Sequence, residues 1–561
     1  MEDVIRTAVM DALATLGILE VDFSVEHPGE LAHGDYACNV ALVAAKVAGI
    51  APRTLAEQIV AVLADQIEYV EKIEIAGPGF INFYFARDFY TAELLRAHAL
   101  GAEWGKNDSE AGQKIMVEYT DPNPFKEFHI GHLFTNTVGE SIARLGLMQG
   151  ADIKRVNYQG DVGLHVACAV YGMQQLGLTT ESVLTTKELG AAYVLGAAAN
   201  KGDETAQAAI RVINKKIYER SDEAVNALYD AGRTASLVYF ETVYTIIGTT
   251  FDEYFFESEM ATAAIQIVLG HPEVFPVSEG AHIFQGEEYG LHTRVFLNKE
   301  GLPTYEAKEL ALAKAKDERC GGYDHSIVST SKEINEYFKV LKCAMGFVYP
   351  ELAAKTEHIG HGSVRLSTGK MSSRTGDIIR AVDFIADMAA AARAKIIETG
   401  MTEPTPELAS AIALGAIKYA TLKGAIEQDS VFDSTKALSF EGDSGPYLQY
   451  THARISSVLE KAAKAGVVPS AAVTPEESYA IERLVYRFPE VIEYAWNNRS
   501  PHMVVGYLTE LASTFNSFYA REKIADVTDA YAPYKAFVAS VVAQTLKNGL
   551  WTLGIQAPER L

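Results

Sequence analysis

Apolar residues recur at helical spacing along much of the chain, and short extended runs interrupt them at intervals that set the expected organisation. In the first hundred residues helical periodicity covers 3–16, 37–48 and 54–66, and extended runs fall at 70–76 and 80–85. The last two flank Ala76-Gly-Pro-Gly-Phe80, where glycine accepts a positive φ and proline fixes its own, so a turn is expected. From about 114 to 375 strand-like runs (115–119, 153–158, 326–329) alternate with helical ones, as in a parallel nucleotide-binding sheet. A mostly helical stretch at 165–265 breaks the alternation and reads as an insertion between two halves of the sheet. Beyond 376 the pattern is almost wholly helical, with turns at 400–406, 442–446 and 466–475, and predicts a helical bundle.

Composition narrows this picture. A chain of 561 residues, 48% hydrophobic, is too long for one core and implies about three or four domains. No apolar run reaches 18 residues, so no membrane span is expected. Met1-Glu-Asp-Val lacks the basic start of a signal peptide. The cysteines Cys38, Cys168, Cys320 and Cys343 are scattered, fitting neither a zinc site nor a disulfide framework, and free thiols suit the cytoplasm. The net charge of −24 argues against indiscriminate RNA binding. Residues 401–561 carry 14 Lys/Arg against 18 Asp/Glu, so most of the acidity lies elsewhere and a local basic face remains open to specific docking.

The chemistry concentrates in Glu118-Tyr-Thr-Asp-Pro-Asn-Pro-Phe-Lys-Glu-Phe-His-Ile-Gly-His132. An extended run enters a proline-interrupted turn, and His129-Ile-Gly-His132 then opens a helical pattern through 148. Two imidazoles three residues apart at a helix start share one side. They stand beside backbone N–H groups without intrahelical partners, where a nucleotide phosphate is favoured. Gly131 lets a base or ribose lie against the backbone. The plain alternative is a pair of capping or core histidines. Far downstream, Ser367-Thr-Gly-Lys-Met-Ser-Ser-Arg-Thr-Gly376 is a glycine-bounded basic loop suited to closing over phosphates.

These two segments resemble the HIGH and KMSKS signatures of class I aminoacyl-tRNA synthetases, in the same order. Further segments resemble arginyl-tRNA synthetases in particular: Leu31–Asn39 and Ile75–Phe83 in an N-terminal domain, Asn157–Gly163, Phe251–Ser258, Gly445–Arg454, and the final Ala557-Pro-Glu-Arg-Leu561. The chain is identified as a member of that family. The resemblance implies a multidomain α/β fold. An N-terminal appended tRNA-binding α+β domain would occupy 1–110. A Rossmann-like class I synthetase catalytic domain would follow at 111–385, with its helical insertion at about 165–265. An α-helical anticodon-binding domain at 386–561 would complete the chain.

The implied activity is arginine–tRNA ligation: ATP, accompanied by Mg²⁺, activates L-arginine, and the adenylate esterifies tRNA(Arg). No tightly bound cofactor and no protein-held metal are implied, and the family leans monomeric. His129, Gly131 and His132 would meet ATP, and His132 would also border arginine. Lys370, Met371, Ser372, Ser373 and Arg374 would form the loop over the departing phosphates, with Lys370, Ser372 and Arg374 acting on them. Ser373 stands where the signature has a second lysine, and Lys126, three residues before His129, would replace that cation, as in many relatives.

Glu118, Asn123, Tyr305, Glu309 and Ile334 correspond to the arginine-binding positions. Either Glu118 or Asn123 would hold the α-amino group or the guanidinium. Tyr305 and Glu309 are spaced i, i+4, placing ring and carboxylate on one helix face. The family usually has Asp at 309 and Gln at 334, so Lys332, Glu333 or Asn335 would stand in. Asn39 and Phe83 would contact the tRNA elbow, against the plainer reading of ordinary structure. Tyr447, Tyr450 and Arg454, at i, i+3 and i+7, would stack anticodon bases, or form a core tyrosine pair with a surface arginine. The family typically needs tRNA before it activates arginine. The competing readings are another class I synthetase or nucleotidyltransferase, and a catalytically silent tRNA-binding paralogue.

Overall fold

The computed structural model describes residues 1–64, 66–367, 379–398 and 404–561. In the first unit, helices Glu2–Thr15, Val40–Ala48 and Pro52–Leu63 accompany an antiparallel sheet. Its strands are β1 (Val25–Glu26), β2 (Tyr36–Cys38), β3 (Val70–Ala76) and β4 (Phe80–Phe85), in the order β1-β2-β4-β3. The helix expected at 37–48 starts at Val40, because residues 36–38 pair with β4. Phe83, expected at the tRNA elbow, is wholly buried in this core and offers RNA no surface. Its burial contributes roughly 1.5–3 kcal/mol. The exposed phenylalanine of the strand is Phe80, at 40%. Asn39 is half-buried, and its Oδ1 accepts from Ser24 N at 2.8 Å.

The second unit holds β5 (Lys114–Glu118), β6 (Asp152–Gln159) and β7 (Glu253–Phe256). A small antiparallel sheet follows, of β8 (Val277–Ser278), β9 (Ala281–Phe284) and β10 (Arg294–Leu297). The chain then returns through β11 (His325–Ser331) and β12 (Thr356–His361). The main sheet runs β12-β11-β5-β6-β7 with every pairing parallel. Between β6 and β7 lie helices Leu164–Gln175, Thr186–Gly202, Glu204–Glu219 and Glu223–Ile247. The insertion is therefore shorter than the expected 165–265, because Glu253–Phe256 pairs in the sheet, with Asn157 opposite Tyr254.

Strands β13 (Val364–Leu366) and β14 (Ser430–Phe432) pair in parallel, and β14 is an extended element within the stretch read as almost wholly helical. Helices Ala381–Glu398 and Pro406–Leu422, expected beyond a boundary at 385, bury Ile385, Ile412 and Ile417 with Phe128, Ile130 and Leu133. Their packing ties them to the sheet unit.

The C-terminal helices Gly445–Lys464, Phe488–Asn497, Pro501–Arg521 and Ala532–Thr552 are not a separate bead. Val504, Leu508, Leu546 and Leu550 share one core with Ile115, Val117, Ile142 and Leu145. Lys418 reinforces the junction, donating to Ile247 O at 2.8 Å and Gly554 O at 2.7 Å. Arg144 donates beside it to Trp551 O at 2.9 Å and Gly248 O at 3.4 Å. These cations sit on carbonyls at helix ends, where the helix dipole favours positive charge. Burial, with Arg144 nearby, pushes Lys418 down to about 8. The first unit and the helix that follows it, Arg87–Leu100, dock on the short helix Glu482–Val485 of this bundle through Asp35–Arg483 at 3.0 Å and Arg87–Glu482 at 2.6 Å. Among the described residues no helix is long and apolar enough to cross a membrane.

Candidate active site

The signature helix runs Ile130–Met148 from an extended N-cap, His129. Its first turn is closed by the two histidines. His132 N donates to His129 Nδ1 at 3.4 Å and His129 N to His132 Nδ1 at 3.3 Å. The rings stack with centroids 3.7 Å apart at 15°. With both Nδ1 atoms accepting, the hydrogen-bond pattern assigns each neutral ring its proton on Nε2. Burial, with Lys126 nearby, pushes His129 down to about 4, and burial beside His129 pushes His132 well below its ordinary value. At neutral pH both are therefore uncharged donors. A Cβ on Gly131 would fall 2.9 Å from the His129 ring, so the stacked pair requires glycine between its members.

Both flanks of the basic loop are fixed beside this turn. Ser367 N donates to Phe432 O at 2.9 Å, Ile130 N to Ile379 O at 3.1 Å, and Ala381 N to Phe128 O at 2.8 Å. Lys370, Met371, Ser372, Ser373 and Arg374 lie outside the described residues. Lys126 is half-buried and forms no salt bridge among the described residues; its ammonium lies 5.0 Å from the Tyr193 ring centre. Burial lowers its pKa, and its charge reaches both histidines.

A second chemistry begins at the end of β5. Glu118 is 2% exposed and pairs with Lys316 at 2.5 Å. Glu309, on the same helix (Tyr305–Arg319), is pushed up to about 8 by burial and by Glu118, against the opposing charge of Lys316. Tyr305 shares the helix face but lies at its outer end, 55% exposed, with the Lys308 ammonium 4.8 Å from its ring centre. Lys308 itself is buried in a close ion pair with Glu257.

Asn123 packs against Gly160, where a Cβ would come 2.4 Å from Asn123 Oδ1 and 3.3 Å from Glu257 Oε1. Only glycine lets β6 approach both acceptors so closely. Asp161 holds Glu257 in register by accepting from Ser258 N at 2.8 Å and from Arg233 at 2.7 Å.

The structure thus gathers Glu118 and Glu309, and it places Asn123 beside Glu257 next to the histidine turn. Ile334 instead sits in the turn Lys332–Ile334, 38% exposed, whereas the interior around Glu309 is lined by Lys316, Tyr323, Val328 and Phe338. Of the proposed stand-ins, Lys332 pairs with Asp429 at 2.8 Å, Glu333 is exposed, and Asn335 packs on Gly360. Sequence reasoning missed Lys316, Lys308 and Glu257. Lys316 was within reach, since it lies i+7 from Glu309 on one helix face. Nothing local marks Glu257 as the partner of Lys308.

In the C-terminal helices, Tyr447, Tyr450 and Arg454 do converge. Arg454 donates to Tyr450 Oη at 3.1 Å and to Asn516 Oδ1 at 2.8 Å, and Asn516 Nδ2 donates to Tyr447 Oη at 3.0 Å. All three side chains remain half-buried.

Comparison with known proteins gives this arrangement a family. Residues 96–434 match the model described as tRNA synthetases class I (R), catalytic domain. Residues 3–85 match the arginyl tRNA synthetase N terminal domain, and 448–561 the DALR anticodon binding domain. The arginine–tRNA ligase of Clostridium acetobutylicum is 30% identical over 568 residues, covering 98% of this chain and 97% of its own. That of Oenococcus oeni is 29% identical over 567 residues, covering 98% and 97%. The solved arginyl-tRNA synthetase of Thermus thermophilus superimposes with a TM-score of 0.79 at 25% identity, covering all of both chains. The Plasmodium falciparum enzyme shares the fold, with a TM-score of 0.78 at 19% identity, covering 100% and 98%. This chain belongs to the arginyl-tRNA synthetases, aminoacyl-tRNA ligases of class I.

Proposed function

We propose that this chain activates L-arginine with ATP and transfers it to the terminal adenosine of tRNA(Arg). The carboxylate of arginine attacks the α-phosphorus, forming an O–P bond as pyrophosphate leaves. The 2′-hydroxyl of the tRNA then loses its proton and attacks the carbonyl carbon as AMP leaves. Neither step needs a protein nucleophile. The barrier falls through alignment and through hydrogen bonds aimed where charge develops.

His129 and His132 donate from Nε2 to the α-phosphate and ribose region. Because both are neutral, they stabilise charge without trapping the product as an ion pair. Lys370, Ser372 and Arg374 serve the departing phosphates, with Met371 and Ser373 completing the loop. Lys126 supplies the cation that Ser373 does not. ATP brings Mg²⁺ on its phosphates.

The observation that carries the arginine assignment is the carboxylate excess at the end of β5, made by buried Glu118 and half-buried Glu309. Glu118 and Glu309 share the single ammonium of Lys316, and an arginine guanidinium offers planar donors to match. A pocket of buried acceptors rejects lysine and citrulline, since each leaves acceptors unpaired. Tyr447, Tyr450 and Arg454 face the anticodon, and the first unit, through Asn39, faces the tRNA elbow. The protein acts as a cytoplasmic monomer.

The test is charging of bulk tRNA with each of the twenty amino acids in ATP and magnesium. Arginine alone should be esterified. Esterification of another amino acid, or of none, overturns the reading.

A further inference from the structure

Around Glu118 the charges do not close. Glu118, Asp121 and Glu309 are three carboxylates within mutual electrostatic reach, and Lys316 is the ammonium that opposes them. The neighbouring pair Glu257 and Lys308 cancels itself. Fully ionised, the cluster carries an excess of two negative charges, and with Glu118 buried and Asp121 and Glu309 half-buried that excess is costly.

Asp121 is fixed rather than free. Its Oδ1 accepts from Tyr158 N at 2.9 Å, where β5 gives way to a turn with Thr120 and Asp121 both at positive φ. A separate observation points to a ligand. The Tyr158 side chain is only 7% exposed, and its hydroxyl has no hydrogen-bond partner among the described residues. That hydroxyl lies within charge range of Glu257, Glu309 and Glu118, with Tyr337 alongside. A buried phenol lacking a partner in the midst of carboxylates is suited to accept an N–H from a cationic guest.

We propose that Asp121 holds the α-ammonium of L-arginine, leaving Glu118 and Glu309 for the guanidinium, with the Tyr158 hydroxyl accepting a further guanidinium N–H. The inference rests on the arginine reading above. Arginine has two cationic ends, which match the two uncompensated charges. Its reacting carboxylate must lie beside His129 and His132, and the α-ammonium is attached next to that carboxylate. Asp121 stands between Glu118 and those histidines along the chain. The guanidinium, at the far end of the side chain, then reaches the interior at Glu118 and Lys316.

The protonation of the empty pocket agrees. Burial and the charges of Glu118 and Glu309 raise Asp121, against Lys316 and the Tyr158 N–H, and Tyr244 also faces it. Glu309, raised to about 8 by burial and Glu118, also faces Glu257 and Lys308. The empty pocket therefore retains protons at neutral pH, and capture of arginine releases them.

The test uses the full-length protein with tRNA, in wild type, Asp121→Asn and Tyr158→Phe. The probe is 5-guanidinopentanoate, which is arginine without its α-amino group, measured as a competitive inhibitor. Asparagine at 121 keeps the acceptor for Tyr158 N and removes only the charge. Asp121→Asn should raise the KM for arginine about tenfold or more, while the KM for ATP and the inhibition constant of the probe stay within about twofold. Tyr158→Phe should weaken arginine and the probe by the same factor. Calorimetry in buffers of different ionisation enthalpy should show fewer protons released per arginine bound by Asp121→Asn. An unchanged arginine KM, or equal weakening of arginine and probe in Asp121→Asn, overturns the proposal. Asp121→Ser carries the same comparison if the asparagine variant does not fold. A wild type that charges no arginine sinks the underlying arginine reading instead.

Discussion

The two halves of the candidate site meet in the fifteen residues from Glu118 to His132 and solve opposite electrostatic problems. At the helix turn, His129 and His132 are neutral rings that satisfy each other's backbone and leave each Nε2 as a donor. At the end of β5, the carboxylates of buried Glu118 and half-buried Glu309 outnumber the Lys316 ammonium that faces them. On the proposed function the contrast follows from the substrates. A nucleotide brings its own counter-ion and needs directional donors, so neutral imidazoles suffice. A cationic amino acid brings the charge that the empty pocket lacks. Binding there is neutralisation, whereas at the histidines it is alignment.

The largest effect should come from breaking the histidine turn. His129→Ala and His132→Ala should each lower kcat for ATP–pyrophosphate exchange by about 10²–10³-fold. Because each ring caps the other, the double variant should be within about threefold of the worse single one. Additive losses would show that the rings act separately. Glu118→Gln attacks the other half by leaving the Lys316 ammonium buried without its partner. It should raise the KM for arginine about 100-fold and lower stability by about 3 kcal/mol in denaturant unfolding, with the KM for ATP nearly unchanged. An equal rise in both Michaelis constants would merge the two halves into one.

Lys126→Ala should slow ATP–pyrophosphate exchange about tenfold. A value within about twofold of wild type, under ~0.4 kcal/mol, would leave Lys126 as a side chain resting on Tyr193.

The smallest effect sharpens the contrast through pH. Glu309 has a folded pKa raised to about 8, so its contribution to stability is full below the unfolded value and is lost as pH rises through 8. His129 is lowered to about 4, so its contribution is present above the unfolded value and is lost as pH falls toward 4. Thermal denaturation of the ligand-free protein should therefore show its midpoint falling from about pH 6.5, where the His129 contribution is complete, to about pH 8, where the Glu309 loss ends. Glu309→Gln should flatten that limb and leave the acid limb intact. A fall of the same slope in the variant would assign the alkaline loss to another group.

Much of the site was legible because its residues are close in sequence. The run from Glu118 to His132 predicted the strand, the turn and the helix start, and its histidines do stack at an N-terminus. The helix face of Tyr305 and Glu309 was equally local. What escaped was pairing between distant segments: Glu257 with Lys308, and Glu118 with Lys316. No periodicity in one segment names its partner in another. Phe83 was expected at the surface on the resemblance alone, and because Phe-Ile-Asn-Phe-Tyr-Phe is apolar at nearly every position, alternation could not place it inside. The insertion ran too long on paper because β7 is a four-residue strand between two helices. So short a strand is recognised only through the neighbour it pairs with.

The ammonium of Lys418 has a consequence for the birth of the molecule. One of its two carbonyl partners belongs to Gly554, seven residues before Leu561. The helix that carries Lys418 packs on the signature helix, and Arg144 of that helix waits for the carbonyl of Trp551. A chain emerging from the ribosome N-terminus first has its sheet and its histidine turn long before it has these acceptors. Until that segment arrives, Lys418 lacks one of its two carbonyl partners, Arg144 keeps Glu140 and Gly248 but lacks Trp551, and the shared core lacks Leu546 and Leu550. The first unit can form early, but the helices behind the His129–His132 turn gain these contacts only once the segment through Gly554 has been made.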